Sequence, residues 1–123
     1  MAYAEYGTAD SGMKIPQSAL IPEQKLTRYL LVPRVRDDKS KYLAQAGFLL
    51  SNPEFLLSAI NDLIARNDAR RDRENEYGTF YEVSGEIQGP NGFRLGVVTI
   101  WLQRSLDENF QFVTLKPLKE NSK

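Results

Sequence analysis

The chain has 123 residues with sixteen basic and sixteen acidic side chains. It fits one domain able to bury roughly two-thirds of its unfolded surface, and it carries no global positive field to hold nucleic acid by counterion release. It contains no cysteine and no histidine, which excludes disulfides, thiolate zinc sites and every mechanism built on Ser-His-Asp or Cys-His.

A neutral balance still leaves room for a local basic cleft, and so for an RNA-cleaving enzyme. No run of 18 apolar residues is present, so no membrane span is expected. No charged start leads into an apolar run, so no secretory signal is read and a cytoplasmic protein is expected. Residues 1–14 read as a loose tail, because residues 1–12 are small, polar and aperiodic. Met13 is a second candidate start within it. Residues 15–117 read as a single domain and 118–123 as a polar tail.

The fold expected is α+β, with N-terminal helices packed on a three- or four-stranded antiparallel meander. A first helix is predicted over residues 22–31. Pro22 opens it, Leu26, Tyr29 and Leu30 share a face, and Pro33 stops it. Asp37 or Asp38 caps a second helix that runs to Gln45 or Ala46, with Gly47 as its stop. Ser51 or Asn52 caps a third, opened by Pro53, in which Leu56, Ile60, Leu63 and Ile64 follow helical spacing to about Asn67. Residues 67–78 are almost entirely charged and read as a solvated loop or a frayed helix end.

From Thr79 the period changes to two. Tyr81, Val83 and Ile87 alternate with Glu82, Ser84 and Glu86, so one face of this strand is wet. Gly89, Pro90, Asn91 and Gly92 form a turn. The next strand, residues 93–104, is apolar on both faces in its middle, which predicts a central position covered on both sides. A last strand over residues 110–116 is stopped by Pro117.

These segments resemble a bacterial family of unknown function that is especially common in cyanobacteria. The residues that carry the resemblance are Ile21-Pro22, residues 25–31 with the Lys-Leu-Thr-x-Tyr-Leu-Leu pattern, and the lysine-containing stretch 39–48 that ends in Gly47-Phe48. They continue with Tyr-Gly-x-x-Tyr-x-Val over 77–83, Gly-Pro-Asn-Gly over 89–92, Val-x-Thr-x-Trp over 97–101, and Phe-Val-Thr-x-x-Pro over 112–117. The likeness covers roughly residues 15–117. It implies a setting similar to the tips of polymorphic toxins or to one half of a toxin–antitoxin-type pair. The layout is similar to the barnase–colicin–RelE class of small ribonucleases. Members often carry a histidine or arginine between Pro33 and Asp38. Here that stretch holds Arg34, Val35 and Arg36, so any role of the histidine is absent.

Several groups of residues admit a functional reading beside a plain one. Lys39 and Lys41, with Arg34 and Arg36, make a basic cluster suited to clamping RNA phosphate. As a solvated helix face balanced by Asp37 and Asp38 they need no such role, and that plainer reading carries more weight. Thr99 and Thr114 on neighbouring strands offer paired hydroxyls to a phosphate, with Arg104 and Lys116 at the strand ends, yet threonine is also a good strand former. Tyr81 and Trp101 suit base stacking, but core packing is favoured for both. Glu82, Glu86 and Asp107 supply carboxylates for a divalent ion or serve as surface decoration. No cofactor or metal is expected.

Two functions follow. One is a histidine-free, toxin-like ribonuclease, with Lys39 or Lys41 stabilising developing charge and Glu82 as the base. The other is a non-catalytic module that docks a small partner protein through a sheet edge.

Overall fold

The protein is described from a computed structural model over residues 13–36 and 38–118. The tail expected over 1–12, Asp37, and residues 119–123 lie outside the described residues. Among the described residues three α-helices and a π-helical turn precede four strands, the α+β layout that the change of period implied.

Prolines set the helix boundaries. α1 (Glu23–Lys25) follows Pro22 and runs into a wider π-helical turn over Leu26–Leu30. The widening shows in the bond from Leu31 N to Leu26 O at 3.0 Å, five residues back instead of four. The expected single helix over 22–31 is thus two short segments that bury Leu26 and Leu30. α2 (Ser40–Ala44) is shorter than expected. Asp38 Oδ1 accepts from the Ser40 N–H at 2.9 Å and from the Ser40 hydroxyl at 2.6 Å, which holds the turn entering it. Gly47, at φ 91°, ends the turn beyond α2 in the left-handed region where a Cβ is strained.

α3 (Pro53–Arg66) buries Leu56, Ala59, Ile60, Leu63 and Ile64 along one stripe. Asn52 occupies its cap position, but the side chain turns back. Its Oδ1 accepts from Leu49 N at 2.9 Å and makes no cap bond to the helix.

The sheet is an antiparallel meander, β1 (Arg70–Asn75), β2 (Gly78–Gln88), β3 (Arg94–Arg104) and β4 (Phe110–Pro117), ordered in space as in the chain. β1 corrects the expected loop or frayed end. Its six residues, Arg-Arg-Asp-Arg-Glu-Asn, are all exposed, so no alternation marks it in the sequence. As a charged edge strand it resists pairing with other chains.

One face of the sheet carries Val83, Ile87, Leu95, Val97, Trp101, Phe112 and Leu115 into a single core with the π-helical turn, α2 and α3. Trp101 is fully buried against Phe112, ring centroids 5.3 Å apart and edge-on. The hairpin tip between β2 and β3 docks on the end of α2. Asn91 Nδ2 donates to Gln45 O at 3.0 Å, and a Cβ on Gly89 would lie 1.8 Å from Ala46 O. Two of the resembling motifs, Gly47-Phe48 and Gly89 to Gly92, therefore meet in space.

β3 is central, as its double apolarity implied, but among the described residues helices cover only one of its faces. Val98 is buried outside the helix-bound core, and Ile100 and Leu102 are half-buried. Their shelter comes from neighbouring strands instead of from a second layer of described helix.

Candidate active site

The uncovered face is built in rows by the strand register. Arg70, Glu82, Ile100 and Thr114 stand opposite one another across all four strands. One row away lie Arg73, Phe80, Leu102 and Gln111. On the other side lie Ser84, Val98 and Lys116. Successive residues of a strand point to opposite faces, so Val83 and Trp101 enter the core while Glu82 and Leu102 leave it.

Both edge strands depart from that alternation once. On β1 the register slips between Arg71 and Arg73, leaving Asp72 as an extra residue. Arg70 and Arg73, three apart, then share the open face. On β4 the register slips opposite Ile100 and Trp101, leaving Val113 extra. Had the pairing Trp101 to Phe112 continued unbroken, Thr99 would face Thr114. The bulge instead pairs Thr99 with Leu115 on the core face and Thr114 with Ile100 on the open face. Such bulges re-aim side chains and are enriched beside active sites.

The charges on this face are paired at its rim. Arg70 Nη2 donates to Glu82 Oε1 at 3.0 Å, and the Glu82 side chain is 22% exposed. The Arg73 guanidinium lies 4.3 Å over the Phe80 ring. Thr114 Oγ1 is buried with no hydrogen-bond partner. Glu86 faces Arg94 at 3.8 Å and Asp107 faces Arg104 at 3.7 Å. The three carboxylates weighed for a divalent ion therefore each face an arginine. Among the described residues no group of three His, Cys, Asp or Glu side chains converges.

Of the residues named from sequence, Glu82, Thr114, Lys116 and Arg104 share the open face. Thr99 does not. It is fully buried, donating to Val83 O at 2.9 Å and accepting from Trp101 Nε1 at 2.8 Å. The expected pairing of the Thr99 and Thr114 hydroxyls is absent. Lys39 and Lys41 belong to the helical layer, at the start of α2, whose Leu43 sits in the core. Arg34 lies over the Tyr29 ring at 4.2 Å and donates to Arg36 O. The basic cluster and Glu82 thus stand on different layers and do not form one constellation. Arg70, Arg73 and Phe80 were not singled out from sequence. What brings them together is the two-residue turn Glu76-Tyr77 ahead of Gly78, which folds the arginine-rich run back on Phe80 to Glu82.

Among the described residues no helix is long and apolar enough to cross a membrane. No curated protein and no solved structure matches the chain. The model of one family, the domain of unknown function DUF6883, matches residues 14–119, and the chain belongs to that family.

Proposed function

We propose that the chain is a toxin-like ribonuclease acting in the cytoplasm, and that it cleaves RNA on the open sheet face. The observation that carries this reading is the pair of edge-strand bulges that bring Arg70, Arg73 and Thr114 to the same face as Glu82. RNA supplies its own nucleophile, so a base and fixed cations are sufficient parts. The Glu82 carboxylate takes the proton of a 2′-hydroxyl, and that oxygen attacks the adjacent phosphorus. The bond from phosphorus to the 5′-oxygen breaks, leaving a 2′,3′-cyclic phosphate. The departing oxygen takes a proton from water, and Glu82 returns its proton to solvent. Arg70 and Lys116 offset charge on the phosphoryl oxygens. The charge-stabilising role first weighed for Lys39 and Lys41 passes to these residues.

The test is Glu82→Gln. Loss of a general base lowers the rate by about 10²- to 10⁴-fold. Cleavage of single-stranded RNA and growth inhibition on induced expression should fall together, with the circular dichroism spectrum unchanged. Undiminished cleavage removes Glu82 from the reaction.

The alternative, a module docking a small partner protein, is favoured by one feature. β1 pairs with β2 only as far as Glu82, and among the described residues no other strand pairs with β2 beyond it, where Arg66 Nη2 donates to Glu86 O at 3.3 Å. A cleft of about 310 Å³ runs there between α3 and the β2–β3 hairpin, lined by Asp62, Arg66, Glu86 and Arg94. β4 is less open, since Leu20 already pairs with its first half.

A further inference from the structure

The turns joining β1 to β2 and β3 to β4 lie at the same end of the sheet and are fastened together. Ser105 N donates to Tyr77 O at 2.9 Å, and the Ser105 hydroxyl donates to Glu76 O at 3.1 Å. Between them is a cavity of about 230 Å³ lined by Tyr77, Leu102, Arg104, Leu106 and Gln111 among others. Tyr77 is 65% exposed and Leu106 is 80% exposed. A flat ring and a branched aliphatic side chain thus stand in water side by side at the mouth of this cavity, an amphipathic surface on which a flat ligand can stack.

Arg104 and Gln111 also line a second cavity, of about 280 Å³, whose far wall is Ser18, Leu20 and Asn109. The arginine therefore stands between two hollows. Its Nε faces Asp107, the side chain is 35% exposed, and its terminal amino groups make no hydrogen bond among the described residues. Two hollows separated by a cation match the alternation of base, phosphate and base along a nucleic acid strand. Stacking on the Tyr77 ring requires no particular base, because every base has a π-face. The Gln111 amide can both donate and accept toward a base edge.

We infer that Tyr77 and Leu106 form a nucleobase subsite and that Arg104 holds the neighbouring phosphate of a single-stranded nucleic acid. This assignment rests on the ribonuclease reading and extends it. Arg104 is four residues from Ile100, the residue opposite Glu82, or roughly 14 Å along β3. The subsite is therefore remote from the bond cut at Glu82. It fixes the position of the strand and does no chemistry.

The test uses a short fluorescent deoxyoligonucleotide, which lacks the 2′-hydroxyl and is not cut, beside an abasic strand of the same length. The wild type should bind the base-bearing strand more tightly. Tyr77→Ala should weaken that binding about tenfold and leave the abasic strand unaffected, and Leu106→Ser should act in the same direction. Arg104→Gln should weaken both strands alike and lower the salt dependence by about one counterion. Equal affinity of Tyr77→Ala and wild type for the base-bearing strand overturns the subsite, as does failure of the wild type to bind either strand. Base-selective loss in Tyr77→Ala, in a protein that cuts no RNA, upholds the subsite while removing the ribonuclease reading. RNA cleavage with no base-selective loss does the reverse.

Discussion

Thr99 accepts a hydrogen bond from the indole of Trp101, two residues further along the same face of β3, and donates one to the Val83 carbonyl on β2. The hydroxyl thereby satisfies a buried N–H that has no other described acceptor. Thr99→Val keeps the shape and removes the acceptor. It should cost about 1–3 kcal/mol, the penalty of a buried unpaired donor. Thr99→Ser should cost less. Urea unfolding of the two variants checks the difference, and equal stability would show that the hydroxyl is not needed.

Gly89 predicts a second stability effect, of steric origin. A methyl group there meets Ala46 O at 1.8 Å, and the obstacle is backbone. Gly89→Ala should cost about 1–3 kcal/mol or more by overpacking. It should also loosen the hairpin tip from α2. Faster amide hydrogen exchange at Asn91, whose N–H points to Ala46 O, is the local readout.

Asp38 links stability to pH. The Ser40 hydroxyl holds its carboxyl below the usual carboxylate range, helped by the Ser40 and Arg34 backbone and the Lys41 charge and opposed by burial. A depressed folded-state value means that the group binds its proton later in the folded chain than in the unfolded one. Its stabilisation is therefore complete above the unfolded value of about 3.9 and is lost as pH falls through the lower folded value. An NMR titration of the Asp38 carboxyl carbon should give a midpoint below the ordinary one, and Ser40→Ala should raise it. An ordinary midpoint in the wild type would contradict the geometry.

The two lysines of the helical layer separate the two candidate sites. Changing Lys39 and Lys41 together to Met should leave RNA cleavage within about threefold of wild type, whereas a lost electrostatic stabiliser costs on the order of a hundredfold. A hundredfold loss in the double variant would return the reaction to the start of α2.

The parts of the fold legible in the sequence are those where burial imposes a period. α3 follows from Pro53 and its leucine and isoleucine stripe, and the central place of β3 follows from its doubled apolar pattern. β1 was illegible because its six side chains are all in water and nothing enforces alternation. The site was half legible for a related reason. Glu82 follows from the wet face of a strand and Thr99 from its alternation with Trp101, but the faces of Thr114, Lys116, Arg70 and Arg73 depend on two bulges. A slip of one residue in register leaves no mark on composition.

The short parallel bridge at Leu20 has a consequence for how the molecule is made. Leu20 donates to Phe110 O at 2.9 Å and accepts from Phe112 N at 2.8 Å. Its partner is the final strand, so during N-to-C synthesis Leu20 emerges early and finds nothing to bind until nearly all of the domain has been translated. The helices and the first three strands can gather beforehand, since each strand pairs with its chain neighbour. Closure of the ring of contacts must wait for β4. A ribosome stalled before Phe110 should hold a chain that proteases cut near Leu20, and release past Pro117 should abolish that cut.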